Sequence, residues 1–501
     1  MTLPVLYGMP CHQSWIFFVS GEYRMKLQDS LRKIIRQSGT GRRVHGSGAV
    51  QGACDILPGD SGAGGSPFLM KLLAAAVLLA GGLASGCASD ASSGEQNPSL
   101  AAEAAESVSE NQKSGIRSGG AAGSPSYARA KGNAKLTIWV ADYQGYNGIA
   151  KVGERFTRDT GVKVNVVHYG QADVQFQYAS AAGVAPDILL SGHDRFGEWA
   201  KEGLIAQLAP GAEEKARFTG LAWDAVTIGG KIYGYPMGIW ALGLICNRKL
   251  VPDAPENWED FIALDNKLQK KGVRAIYWDY TTPYYTYPLI SANGGYSFKK
   301  ASDGFYDTGK TGVANEGAKS GLKFLIDLIW NGHMRKGADY GVMQQEFSGG
   351  RLGCILDGPW SWAGYDQAGI DFSVNRLPKL NGMRSRPFVS VQSFVISASS
   401  PNRDLAVDFL ENYLLTDDGI RDVNDDVAIG VPALRSFQAL SGRNSRIAAT
   451  MENVRGGDLI PSIPEMYRFW SAFQTALREA VTGRQGADEA LEDAAKGIAK
   501  Q

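Results

Sequence analysis

The chain has 501 residues, 44% of them hydrophobic, enough for roughly two or three domains with a sizeable buried core. Lys+Arg and Asp+Glu are equal at 51 each, so the zero net charge gives no general attraction to nucleic acid or to an anionic membrane surface. The five cysteines, at 11, 54, 87, 246 and 354, have no CxxC and no regular spacing, which excludes a disulfide scaffold and a zinc ribbon; no two histidines have metal-ligand spacing, so no metal or cofactor is expected.

Residues 1–69 lack periodicity and are rich in Gly, Ser and Arg. Met70-Lys71 then opens an apolar run over 72–83, followed by Ala84-Ser85-Gly86-Cys87. A basic start, a short apolar stretch and small residues before a cut describe a secretory signal, and the run is shorter than the ~20 apolar residues a spanning helix needs. The segment 70–87 resembles a lipoprotein signal, with Ala84 where that motif usually has Leu. On this reading Cys87 carries the lipid and anchors the exported protein to the membrane, facing the periplasm or cell exterior. The alternative is an ordinary cleaved signal with a chance Cys. Met70 is then read as the initiator, and 1–69 as a leader or an over-extended gene start. Residues 88–133 are low in complexity, with no aromatic before Tyr127, and cannot bury enough surface to offset their chain entropy. They read as a disordered linker.

From Lys135 the pattern changes. Residues 136–141 (LTIWVA) predict a buried strand, and Asn147 opens a helix with Ile149, Val152 and Phe156 on one face, ended by Gly161. Residues 162–169 alternate and are β-branched, predicting a second strand; Pro186-Asp187 leads into a third at 188–190. Strand, helix, strand, helix means an α/β domain with a largely parallel sheet, whose ligands bind at the carboxyl ends of strands. Ala318, Leu322, Leu325, Ile326 and Ile329 form a later helical stripe closed by Gly332, and Met466, Phe469, Trp470, Phe473 and Leu477 form another after Pro464. A last amphipathic helix is expected over 487–499. Cys246 and Cys354 read as buried free thiols in strands, able to pair only if the fold brings them together.

Several long motifs then carry a resemblance over essentially all of 135–500. They are Gly145-Tyr146-Asn147-Gly148, His193-Asp194-Arg195-Phe196-Gly197, residues 218–226 (FTGLAWDAV), Tyr235-Pro236 and Asn293-Gly294-Gly295-Tyr296. Gly358-Pro359-Trp360-Ser361-Trp362, residues 409–417 (FLENYLLTD) and residues 446–453 (RIAATMEN) complete the set. In these motifs the chain resembles the bacterial maltose/maltodextrin-binding proteins, the sugar-binding components of ABC importers. The resemblance implies a two-lobed periplasmic-binding-protein fold of type II, with discontinuous α/β lobes joined by a hinge and a ligand cleft between them. The first lobe is expected over 134–238 and 394–440, the second over 243–388 and 445–501. It also implies a small-molecule saccharide ligand, ABC permease subunits as partners, a monomer and no catalysis.

A sugar presents hydroxyls at its edge and C–H groups on its faces, so its site needs planar hydrogen-bonding groups and aromatic platforms. By the resemblance, Trp360, Trp470 and Tyr284 match such platforms, and Asp194 and Arg195 match a charged pair that grips hydroxyls. There are also departures. The family's Asp-Lys pair after the first strand is Tyr143 and Gln144 here, a Glu is replaced by Trp240, another by Thr282, a Trp by Ser191 and an Arg by Gln474. The expected ligand set is therefore Asp194, Arg195, Tyr284, Trp360, Trp470, Tyr143, Gln144 and Trp240. A maltodextrin binder and a site reshaped for a different saccharide both stay open, as does a chemoreceptor-type sugar sensor. A glycoside hydrolase is disfavoured because it needs two carboxylates flanking the bond, and of those matching the family's cleft only Asp194 remains.

Overall fold

The computed structural model describes residues 134–301 and 304–499. The expected leader, the signal segment with Cys87 and the linker lie outside the described residues, as does the side chain of Tyr143.

The first elements form as the periodicity requires. Strand β1 (Lys135–Ala141) buries Leu136, Ile138 and Val140 completely on one face. Helix α1 (Gly148–Thr160) buries Ile149, Val152 and Phe156 and stops at Gly161, whose φ of 78° is a left-handed conformation that a Cβ disfavours. Strand β2 (Lys163–Tyr169), helix α2 (Ala172–Ala181), strand β3 (Ile188–Gly192) and helix α3 (Phe196–Lys201) follow. Next come β4 (Tyr235–Ala241), β5 (Gly243–Asn247), β6 (Arg274–Tyr277), α4 (Pro283–Ala292), α5 (Glu316–Trp330), α6 (Tyr340–Ser348), β7 (Leu352–Asp357) and β8 (Phe372–Asn375). The rest of the framework is β9 (Phe388–Ile396), β10 (Val431–Pro432), α7 (Ser445–Gly456), β11 (Asp458–Leu459), α8 (Met466–Thr482) and α9 (Ala487–Ile498).

The fold is mixed α/β. A seven-stranded sheet runs in the order β10-β4-β9-β3-β1-β2, with β11 added beside β9. Here β1 is parallel to β2 and β3, but β9 is antiparallel to both β3 and β4. The expectation of a largely parallel sheet therefore holds for the first three strands and the short β9–β11 pair but not across the centre of the sheet. β9 arrives on chain returning from the second sheet, not through a helical crossover, so nothing forces it parallel.

That second sheet has four strands in the order β8-β5-β7-β6. Only Leu242, fully buried, separates β4 from β5, so the chain passes from one sheet to the other within one residue. It returns over 376–387, where Asn453 of α7 accepts from the Leu377 N–H and donates to the Asn375 carbonyl.

Cys246 of β5 and Cys354 of β7 stand opposite one another in antiparallel register and are joined by a disulfide across a separation of 108 residues. This corrects the reading of two free thiols. Both side chains are fully buried, as expected, but the pairing depends on strand register between distant segments, which cysteine spacing does not encode.

Candidate functional site

The carboxyl end of β1 runs into a 3-10 turn, Asp142–Gln144, and that of β3 into another, His193–Arg195. These ends converge on β9, all nine residues of which are buried. Side chains alternate along a strand, so Phe388, Ser390 and Gln392 share one face. In register, Ser390 lies opposite Trp240 of β4, while Gln392 lies between Gly192 of β3 and Gly238 of β4. The Gln144 Nε2 donates to Gln392 Oε1 at 3.0 Å, and the Ala141 N–H donates to Gln144 Oε1 at 3.4 Å.

The structure joins most of the predicted aromatic residues. Trp240 meets Trp360 with ring centroids 5.2 Å apart, and Trp360 meets Tyr284 at 6.2 Å. Tyr284 faces Phe388 at 6.5 Å, and Phe388 meets Trp470 edge-on at 5.2 Å. Trp240 is fixed from behind by its Nε1 donating to the Ile429 carbonyl at 3.0 Å. Trp240 and Tyr284 are buried, whereas Trp360 and Trp470 are half-buried.

Asp194 is half-buried at the same place. Burial first, then the charges of Asp357 and Asp194, push the Tyr284 phenol well above its ordinary range, which puts the Asp194 carboxylate within electrostatic reach of that ring. Arg195 is placed differently. Its guanidinium donates to Gln177 at 2.6 Å and to Glu198 at 3.3 Å, lies 3.6 Å from Asp173 and sits over the Trp199 ring. These partners lie on α2 and α3, so the side chain is turned to the helices flanking β3, although it follows Asp194 in sequence.

Sequence reasoning missed the support behind Trp360. Its Nε1 donates to the Tyr340 hydroxyl at 3.1 Å, which donates in turn to Asp357 Oδ2 at 3.4 Å. The carboxylate also accepts from the Tyr365 hydroxyl at 2.6 Å and from the Gly358 N–H at 2.9 Å. Asp357 is fully buried, and burial pushes its carboxyl up to about 6 against the opposing hydrogen bonds. Phe388, Ser390 and Gln392 were missed too. The signal for Ser390 and Gln392 was two polar residues at alternate positions of a largely apolar strand.

The raised Asp357 carboxyl makes a stability prediction. A group whose folded value lies above its unfolded one, here about 6 against 3.8, stabilises the fold fully below pH 4, and that contribution is lost as pH rises through 6. The charged form is therefore disfavoured at neutral pH by on the order of 3 kcal/mol. Asp357→Asn, which keeps an acceptor for Tyr365, is expected to gain stability relative to the parent as pH rises from about 4.5 to 7. Denaturant titrations of both proteins across that range check this; a constant difference between them contradicts it.

A cavity of about 390 Å³ lies elsewhere, walled by Trp362, Asp366, Asn424 and Arg446 among others, and includes none of the candidate side chains. Among the described residues no cluster of His, Cys, Asp and Glu is arranged to hold a metal ion.

The chain is similar to a galactooligosaccharide-binding protein of Bacillus subtilis, 29% identical over 396 residues that cover 75% of this chain and 92% of the relative. It is similar to a maltooligosaccharide ABC transporter solute-binding lipoprotein of Streptococcus pneumoniae strain R6, 27% identical over 378 residues, or 72% and 87% of the two chains. A maltodextrin-binding protein of Bacillus subtilis is 27% identical over 391 residues, or 74% and 91%. The family model of the bacterial extracellular solute-binding proteins matches residues 141–420. That match spans more than half of the chain and includes the ends of β1 and β3, α4, β7 and β9, so the protein belongs to the bacterial extracellular solute-binding protein family.

Proposed function

We propose that this protein is the oligosaccharide-capturing component of an ABC importer, holding a maltodextrin or related sugar by aromatic stacking and hydrogen bonds and passing it to permease subunits in the membrane. The observation that carries this reading is the continuous aromatic cluster Trp240–Trp360–Tyr284–Phe388–Trp470, bordered by Gln144 and Asp194. Apolar ring faces beside neutral and acidic hydrogen-bonding groups suit a polyhydroxylated ring. The named activities of the relatives support the same class.

The cluster draws on both sheets. Trp240 ends the seven-stranded sheet's β4, and Trp360 follows the four-stranded sheet's β7. We assign the lobes 134–238 with 394–440, and 243–388 with 445–501, and place a hinge at the crossings around Leu242 and 376–387. Sugar entry then requires Trp240 and Trp360 to part, a motion such a hinge supplies. We propose Tyr143, one step before Gln144 in sequence, as a further ligand contact. Arg195 acts by bracing α2 and α3 against the turn that carries Asp194.

The site is a binding site and not a catalytic one. Glycoside hydrolysis needs two carboxylates across the scissile bond; besides Asp194, Asp357 is buried and bonded to Tyr340 and Tyr365 behind the aromatic wall, and Asp458 accepts from the Tyr287 hydroxyl and pairs with Arg386. A second saccharide class, galacto-oligosaccharides, is favoured by the Bacillus relative and by Tyr143, Gln144 and Trp240 standing at positions that are charged in the maltodextrin binders. Export with a lipid on Cys87 completes the reading; Cys87→Ser is expected to free the protein from the membrane, and a membrane fraction unchanged by that substitution contradicts the anchor.

A thermal-shift screen of the purified protein against mono-, di- and oligosaccharides tests the function. A ligand at 100 times its dissociation constant adds about 2.7 kcal/mol of stability. No shift with any neutral oligosaccharide rules the proposal out.

A further inference from the structure

We propose that Ser390 and Gln392 of β9 form a neutral polar floor that hydrogen-bonds the edge hydroxyls of one sugar residue and makes the site select uncharged saccharides. This rests on the saccharide reading above and names two contacts that the resemblance does not supply.

The backbone register creates the floor. Gln392 is flanked on β3 and β4 by Gly192 and Gly238, so neither neighbour places a side chain beside it. A Cβ at Gly192 would lie 2.9 Å from Asp194 Oδ1 and 3.5 Å from both Gln392 Nε2 and Ser390 Oγ. Three polar side chains therefore converge on the space that the glycine leaves. On the other flank, a Cβ at Gly238 would collide with the Ile429 carbonyl, the atom that anchors Trp240. The glycines thus keep a Cβ from crowding these polar groups and leave the adjoining indole in place.

The chemistry of the three groups is complementary to sugar hydroxyls. The hydrogen bond from Gln144 to Gln392 Oε1 orients the Gln392 amide and leaves its Nε2 on the Gly192 side. A sugar hydroxyl both donates and accepts, so it can take a hydrogen from Nε2 and give its own to the Asp194 carboxylate. Ser390 Oγ is buried with no hydrogen-bond partner among the described residues. Buried hydroxyls are ordinarily satisfied, and leaving one unpaired is costly, so this atom is fitted to a partner that arrives with a ligand. Phe388, two residues earlier on the same face, continues the floor into the aromatic wall, so one strand offers both the stacking side and the hydrogen-bonding side. Gln392, Ser390 and Gln144 carry no charge. A carboxylated sugar would find no cation among them and would face Asp194.

Isothermal titration of the full protein with maltotriose, β-1,4-galactotriose and trigalacturonic acid tests this. The parent is expected to bind at least one neutral trisaccharide, and the trigalacturonate at least 100-fold more weakly. Gln392→Met, close in volume, is expected to weaken the neutral sugar about tenfold, and Ser390→Ala about threefold. Monodeoxy analogues of the bound sugar supply a readout that a structural role would not move. At one hydroxyl position, removal of the hydroxyl and Gln392→Met should cost less together than the sum of their separate losses. If Gln392→Met does not fold, the same cycle with Ser390→Ala decides. Variants that bind within twofold of the parent with additive deoxy penalties, or trigalacturonate bound as well as the neutral sugar, overturn the floor alone. A parent that binds neither neutral sugar overturns the saccharide reading on which the floor rests.

Discussion

Trp360→Ala is expected to weaken saccharide binding by about 30-fold or more, equivalent to about 2 kcal/mol, with the fold retained. The ring is central to the aromatic cluster, touching Trp240 on one side and Tyr284 on the other. Large aromatic groups in such desolvated positions carry most of the energy of an interface, because truncation removes contact area and admits water. The fold should survive because Trp360 is half-buried in a 3-10 turn after β7 and lies outside the fully buried core. Its removal takes one donor from the Tyr340 hydroxyl, which still accepts from Gln344 and donates to Asp357. The ring also folds back over Gly358, where a Cβ would lie 2.2 Å from an indole carbon, so Gly358→Ala should displace the platform without deleting it. Titration calorimetry with the best sugar from the screen, beside a thermal melt of each variant, gives the answer. An unchanged affinity in Trp360→Ala removes this residue from the site.

The second large effect is on stability. Replacing both Cys246 and Cys354 by Ala is expected to lower unfolding free energy by roughly 2–5 kcal/mol. The bond closes a long loop, since its ends are 108 residues apart, and long loops restrict the unfolded chain most. It ties β5 to β7 at the centre of the four-stranded sheet, with both sulfurs fully buried. The double substitution leaves neither position of the pair as a free thiol and removes little volume. Denaturant titration compares it with the parent under oxidising conditions, and reductant should bring the parent towards the variant. Equal midpoints in all cases mean that the bond does not contribute to stability in solution.

The legible and illegible parts of the chain divide on physical lines. Helix α1 and strands β1 to β3 were plain because their patterns are local: Ile149, Val152 and Phe156 repeat at the helical period, and Leu136, Ile138 and Val140 at the strand period. The antiparallel course of β9 and the Cys246–Cys354 bond were not plain, because both depend on which distant strands become neighbours. In the candidate site, Trp360 came from a long motif, Tyr284 and Trp470 from single positions matched by the resemblance and Trp240 from a departure, and the structure gathers them. Arg195 shows the limit of that approach: adjacency to Asp194 in sequence does not fix where a long side chain points, and its ion pairs lie with Asp173 and Glu198. Asp357, Ser390 and Gln392 escaped because a polar residue in an apolar strand has no meaning until its neighbours across the sheet are known, and Tyr340, at the start of α6, because its partners Asp357 and Trp360 lie in later elements.

The Trp240–Trp360 pair also gives the protein an optical property. The two indoles are inclined at 49° with centroids 5.2 Å apart, close enough for their electronic transitions to interact and neither parallel nor perpendicular. Such a coupled pair contributes a signed couplet to the circular dichroism spectrum that isolated chromophores lack. Trp258 and Trp278 form a second tilted pair in the core, with centroids 5.4 Å apart, so their couplet is the background against which a change at Trp240–Trp360 is read. A ligand ring passing between Trp240 and Trp360 separates them, so the couplet should collapse and the indole emission change in step with occupancy. On the proposed hinge, that change would report without a label whether the two walls are together or apart.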